Sequence, residues 1–293
     1  MRWVVTLLSR LATLTSSTVE RAVPDWGPAP ANPGPEERPV RDVCLLLGTR
    51  WVPMHFHRAL VEMVTETEAE LVSIVLAGEE NPPADDSAGG LLGRIASLRT
   101  PDTEYVDVLA QPYAPETVVR TETVPAGAGV DLPEEVIDRV VADADVAVQY
   151  GMGILGGRVL DAPARGVLSF HHGDVREYRG GGFGFWEFLN GEPEAGVTLQ
   201  ILSDGLDTGK VVAIRRIDLD GAGTLAEVRR RLMAAERPLL AIGVRRLNDP
   251  AFVPREFDED DLGELYLYSD VTTAVKVRYV LTELIRRFRP IRG

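Results

Sequence analysis

Three nearly continuous apolar runs, Val43 to Leu47, Leu71 to Leu76 and Val146 to Tyr150, constrain this chain more than any other feature. Each is too short for a buried helix and is followed by turn residues, as in strands covered on both faces of a parallel sheet. Helical spacing falls between them. His55 to Val64 places Phe56, Leu60, Met63 and Val64 on one face. Leu132 to Val141 begins as a helix, with Pro133 near the first turn and Glu134 and Glu135 suiting its dipole. Tyr105 to Leu109 reads as a third strand, Leu91 to Leu98 as a short helix, 79–90 as a loop, and 111–132 shows no clear period. Strand–helix alternation of this kind predicts an α/β fold, a mostly parallel sheet with helices on both faces. Ligands then bind beyond the carboxyl ends of the strands, at the loops after Leu47, Tyr150 and Phe170.

The flanks read differently. Residues 24–40 are proline-rich and suit a linker, so 1–40 form an extension and the folded part begins at Val40. The apolar stretch Trp3 to Leu8 is short for a secretion signal and reads as a poorly ordered or amphipathic start. The expected catalytic domain covers 41–220, with a mostly helical C-terminal extension, 221–293, packed on it. Thr224 with Glu227 has capping-box spacing; Leu239 to Leu247 and Val271 to Phe288 continue in helical pattern.

Composition narrows the partners. Net charge is −14 and the lysines are Lys210 and Lys276 alone, a surface that repels polyphosphate and argues against nucleic acid. The same balance suits a protein that stays soluble in high salt. No apolar run reaches the ~20 residues of a membrane span, so a cytoplasmic protein without membrane contact is expected. The lone cysteine, Cys44, excludes an internal disulfide and sits in an apolar run as a structural thiol. Nothing in the sequence sets the oligomeric state.

Chemistry concentrates in residues 166–212. A short strand ends at His171, a glycine-rich loop follows, and a second strand, Val197 to Leu202, leads into a turn holding Asp204 and Asp207. A carboxylate beside a histidine fixes its tautomer and raises its proton affinity. On residue types alone, solvated turn residues are the first reading of the pair and catalysis the second. Phe185 and Trp186, on a short helix beginning near Phe183, read as core. His171 and His172 point to opposite strand faces, so no shared metal is expected. His55 and His57 read as helix-surface residues.

The segment resembles the formyltransferase catalytic domain shared by methionyl-tRNA, glycinamide ribonucleotide and sugar-amine formyltransferases and by formyltetrahydrofolate deformylase. The matching stretches are Ser169-Phe170-His171, Tyr178-Arg179-Gly180, Gly196-Val-Thr and Leu206-Asp-Thr-Gly, with Ala144 to Leu155 and Val159 to Pro163 before them. Resemblance is strong over 140–215 and looser over 42–110. It implies the Rossmann-like formyltransferase fold and a folate-dependent transferase that moves a formyl group from 10-formyltetrahydrofolate to a small-molecule amine, with an amino sugar as one acceptor. His171 would polarise the formyl group, and Asp207 would orient it. Main chain at Met152, Gly153, Ile154, Leu155, Ser203, Asp204 and Asp207 would line the pterin pocket. Gly48, Thr49, Asp174, Arg176 and Arg179 are candidate acceptor contacts, although Asp174 and Arg176 read first as solvated loop charges. No metal is implied.

Serine at 169 departs from the family asparagine that donates to the formyl oxygen, and Asp174-Val-Arg-Glu replaces the usual Leu-Pro. The alternatives are therefore hydrolysis of formyltetrahydrofolate by the same pair, or a non-catalytic binding paralogue. The stretch after Leu47 lacks the glycine pattern of the glycinamide ribonucleotide enzymes. The chain after Asp218 is short and helical beside the tRNA enzyme's barrel domain, and the N-terminal stretch is short beside a deformylase's regulatory domain.

Overall fold

The structure, a computed structural model, describes residues 39–79 and 104–287. The extension up to residue 38 and the helix expected over Leu91 to Leu98 lie outside the described residues. In chain order the strands are β1 (Asp42–Thr49), β2 (Trp51–Pro53), β3 (Glu70–Glu79), β4 (Tyr105–Asp107), β5 (Thr117–Arg120), β6 (Val124–Ala126) and β7 (Gly129–Asp131). They continue with β8 (Val146–Tyr150), β9 (Val167–His171), β10 (Tyr178–Gly180), β11 (Glu194–Ile201), β12 (Lys210–Asp218) and β13 (Glu264–Tyr266). The helices are α1 (Met54–Glu66), α2 (Glu134–Val136, widened into a π turn over Ile137–Val141) and α3 (Phe185–Asn190). After them come α4 (Leu225–Glu236), α5 (Leu239–Leu247) and α6 (Thr273–Arg287).

One sheet has the order β12-β11-β9-β8-β1-β3-β5. β5, β3, β1, β8 and β9 are parallel, and β11 and β12 close the far edge antiparallel. The chain moves from β1 to one side through β3 and β5, then returns to β8 and β9 on the other. The point of reversal therefore lies between β1 and β8. There Gly48 and Gly151 meet so closely that a Cβ on Gly48 would fall 2.0 Å from the Gly151 carbonyl oxygen. Only glycine fits a backbone approach of that kind.

Alternation along β1 assigns its two faces. Val43, Leu45 and Leu47 join one core with Phe56, Leu60 and Met63 of α1 and with residues of α4 and α5. Cys44 and Leu46 join the opposite core with Leu132, Ile137 and Val141 around α2. Burying each large side chain of α1 contributes about 1.5–3 kcal/mol, so tertiary packing, more than helix propensity, holds α1 in place. Cys44 is fully buried, and that burial pushes its thiol up to about 11, as expected of a structural residue.

Tyr105 to Leu109 is not a strand of the main sheet. Tyr105–Asp107 pairs antiparallel with Trp51–Pro53, and Val108–Ala110 then forms a 3-10 turn whose Leu109 N–H is capped by Asp107. The strand beyond β3 is β5, from the stretch without a period. Its residues are only half-buried or exposed at the sheet edge, so no apolar run marked it. The short helix begins at Phe185, behind Gly184 in the left-handed region at φ 73°. Phe185 is 0% and Trp186 7% exposed, both in the core. Thr224 caps α4, its Oγ1 accepting from Glu227 N–H at 3.2 Å. The Glu227 carboxylate accepts from Arg230 and Arg231, and the Arg230 hydrogen bond does most to hold its pKa down near 2.

Candidate active site

Register brings a polar row together at the carboxyl edge. Ser169 and His171 alternate with Leu168 and Phe170, so both point to the α2 side of β9. Gln200 of β11 pairs with Ser169 and Thr198 pairs with His171. Gln149 of β8 donates through Nε2 to Ser169 Oγ at 2.7 Å. These side chains lie inside the protein, with Ser169 6%, His171 7%, Thr198 0% and Gln200 2% exposed. Buried polar atoms are normally satisfied. Yet Oε1 of both Gln149 and Gln200 has no partner among the described residues.

His171 is held at both ring nitrogens. Nδ1 lies 3.3 Å from Asp207 Oδ1, and Nε2 lies 2.7 Å from the Tyr178 carbonyl oxygen. Burial disfavours the charged ring, but the hydrogen bond and charge of Asp207, the Tyr178 carbonyl and Glu187 outweigh it and raise the His171 pKa. For Asp207, burial pushes upward while His171, the Gly180 N–H and Gln200 pull its pKa down. The Gly180 amide donates to Asp207 Oδ2 at 2.6 Å, and Gln200 Nε2 to Oδ1 at 3.3 Å. Asp207 sits at φ 53°, a left-handed conformation that aspartate tolerates better than most residues. One carboxylate thus ties the β11–β12 turn to the ring and to the glycine-rich loop.

The remaining candidates divide. Met152 and Leu155 are buried and Ile154 is exposed, while Gly153 takes a left-handed φ of 80°. The loop after β8 adjoins the loop after β11, since a Cβ on Gly156 would lie 3.6 Å from Asp204 Oδ1. Ser203 Oγ and Thr208 Oγ1 are 3.1 Å apart and brace that second loop. Thr49 Oγ1 accepts from Trp51 N–H at 3.2 Å. Asp174 is not a solvated loop charge: it is 1% exposed and accepts from Arg176 Nε at 2.8 Å, with Arg216 at 3.7 Å. Arg179 donates to the Gly263 carbonyl at 2.8 Å. His55 is not a surface residue either; its side chain is 10% exposed and faces Glu236 and His172. His57 Nδ1 lies 2.7 Å from the Tyr113 hydroxyl.

Glu187 escaped the sequence reading because it sits in an apolar helix, Phe185–Asn190, and carries no motif. It is 3% exposed, its Oε1 has no partner among the described residues, and burial raises its pKa to about 7, with the His171 charge among the opposing influences. A folded-state pKa above the ordinary 4.5 means that the folded protein binds this proton more tightly than the unfolded chain. Stability is therefore lost as pH climbs from about 4.5 through 7, by on the order of 3 kcal/mol at pH 8. Glu187→Gln keeps the uncharged form. Chemical denaturation should show the variant more stable than the parent at pH 8, with a much smaller difference at pH 5; a gap that does not change with pH would refute it.

A mostly parallel sheet with helices on both faces and its polar row at the carboxyl edge defines the architecture as doubly wound α/β. A family model described as formyl transferase matches residues 104–243. Methionyl-tRNA formyltransferase of Sorangium cellulosum is 34% identical over 120 residues, 41% of this chain and 39% of that protein. The chain thus spans well under half of that relative's length. Two solved structures share the fold. A sugar N-formyltransferase from a Shewanella species superposes with TM-score 0.54 at 13% identity, over 83% of this chain and 88% of that one. WlaRD, a sugar 3N-formyl transferase solved with dTDP and 5-N-formyl-THF, gives 0.52 at 11% identity, over 84% and 80%. Over residues 104–243, just under half of its length, the chain matches the formyltransferase family as a divergent sequence.

Proposed function

We propose that this chain transfers the formyl group of 10-formyltetrahydrofolate to the amine of a small molecule, with nucleotide-linked amino sugars the first class to test. The observation that carries the reading is the row of Gln149, Ser169, His171 and Gln200 on one sheet face, with Asp207 against the histidine. The amine nitrogen attacks the formyl carbon and the carbonyl electrons move to oxygen. Collapse of that intermediate breaks the bond to the folate nitrogen, which takes up the proton the amine releases. His171 donates an N–H to the developing oxyanion and passes the proton, while Asp207 holds the ring. Ser169 Oγ accepts from Gln149, leaving its own hydroxyl proton to donate to the oxyanion. A donor placed there lowers the barrier by about 3–4 kcal/mol. The unpartnered amide oxygens of Gln149 and Gln200 suit the N–H groups of an incoming amine.

His171 Nε2 already meets the Tyr178 carbonyl, so the donor's entry requires the segment 173–180 to give up that bond. Main chain at Met152 to Leu155 and Ser203 to Asp207 forms the pterin pocket in this reading, supported by the closeness of the two loops. A net charge of −14 disfavours a tRNA acceptor. Calorimetry with 5-formyltetrahydrofolate, and turnover of 10-formyltetrahydrofolate with a panel of nucleotide-linked amino sugars and other small amines, test the proposal together. Micromolar binding and amine-dependent turnover are expected; neither binding nor turnover would sink it.

A further inference from the structure

The opposite face of β9 carries a second constellation. His172 turns away from His171 toward the α1 and α4 side, where its Nε2 lies 2.7 Å from Glu236 Oε2. His55, in the first turn of α1, brings its Nε2 to 3.7 Å from the same oxygen. One donor atom from each of the three residues falls within 4.8 Å of the others. We propose that His55, His172 and Glu236 bind a divalent first-row transition metal, Zn2+ or Fe2+, with a coordination position left open.

Donor geometry supports this. Bonds of about 2.0–2.1 Å at tetrahedral angles place ligand atoms roughly 3.3 Å apart. The distances from Glu236 Oε2, 2.7 and 3.7 Å, bracket that spacing. Two imidazoles and a carboxylate form the borderline donor set that both ions accept, and three protein ligands leave room for water or a ligand atom.

The second observation is Glu236 itself. Its side chain is 1% exposed, and its Oε1 has no hydrogen-bond partner among the described residues. The guanidinium next in sequence, Arg237, pairs with Glu62 at 2.7 Å instead. Among the described residues its ion-pair partners are the two imidazoles, and a buried carboxylate so placed suits a further positive charge. Phe183 packs on the His172 ring with centroids 3.8 Å apart, and Phe183 is held at a strained φ of 37°. That ring fixes the orientation of His172, as the surroundings of ligating histidines commonly do. The His172 side chain is 21% exposed, so the cluster has a route to solvent.

The experiment uses untagged full-length protein, stripped with chelator and titrated separately with Zn2+, anaerobic Fe2+ and Mg2+. One equivalent of Zn2+ or Fe2+ should bind, and Mg2+ should not compete. His55→Ala, His172→Ala and Glu236→Gln should each weaken binding at least about 100-fold, whereas His57→Ala should retain it. Co2+ added to the unmodified chain should give the intense visible bands of a four- or five-coordinate site. Absence of stoichiometric binding, or equal binding by the folded ligand variants, would overturn the proposal. Should the variants not fold, weak six-coordinate Co2+ bands in the unmodified chain would do so.

Discussion

His171→Ala is expected to lower kcat for formyl transfer by about 10³-fold, within the range that a positioned acid–base group contributes. Affinity for 5-formyltetrahydrofolate should change far less, because the proposed pterin contacts come from other loops. The replacement also leaves Asp207 without its buried partner. A stability loss of about 1–3 kcal/mol should therefore accompany the kinetic one, moderated by the Gly180 and Gln200 donors that remain on the carboxylate. Folded protein, checked by circular dichroism, that keeps its full rate would remove His171 from the mechanism even if the chain is a formyltransferase. Equal losses in folate affinity and kcat would instead point to a role in binding.

Asp207→Asn should cost about 10²-fold in kcat while leaving the backbone in place. Asparagine tolerates the left-handed φ of 53° nearly as well as aspartate, so the substitution tests charge and acceptor capacity rather than strain. The amide oxygen can still accept from Gly180 N–H. The amide cannot also serve His171 with the charge of a carboxylate, and the ring is then free to take the wrong tautomer. Because the two residues act as one unit, the His171→Ala/Asp207→Asn double variant should be little slower than His171→Ala alone. Steady-state kinetics on all three variants decides this; fully multiplied losses would show that the residues act independently.

Much of the candidate site can be read from the sequence. Ser169 to His171, Tyr178 to Gly180 and Leu206 to Gly209 stand in an order and spacing that only a related architecture explains. The structure adds why they belong together: a single carboxylate, Asp207, reaches both the imidazole and the Gly180 amide. In the sequence Gln149 and Gln200 are simply polar residues within largely apolar strands. Their meaning came from register, which places them on either side of Ser169. Asp174 looked like a loop charge because burial depends on what packs over a loop, and here Arg176 and Arg216 do.

The sequence by itself determined the alternation of strands and helices, the burial of the main strands on both faces, and the stretch that carries His171 and Asp207. Periodicity and turn chemistry are local properties, so neighbouring residues record them. Tertiary structure alone decided that the edge strand is Thr117–Arg120, that the Tyr178 carbonyl covers His171, and that His55, His172 and Glu236 converge from a helix start, a strand end and a helix end. Those meetings depend on sheet order and on which helix packs on which face. They are set by burying the apolar surface of the whole chain at once, and no short window of sequence contains that information.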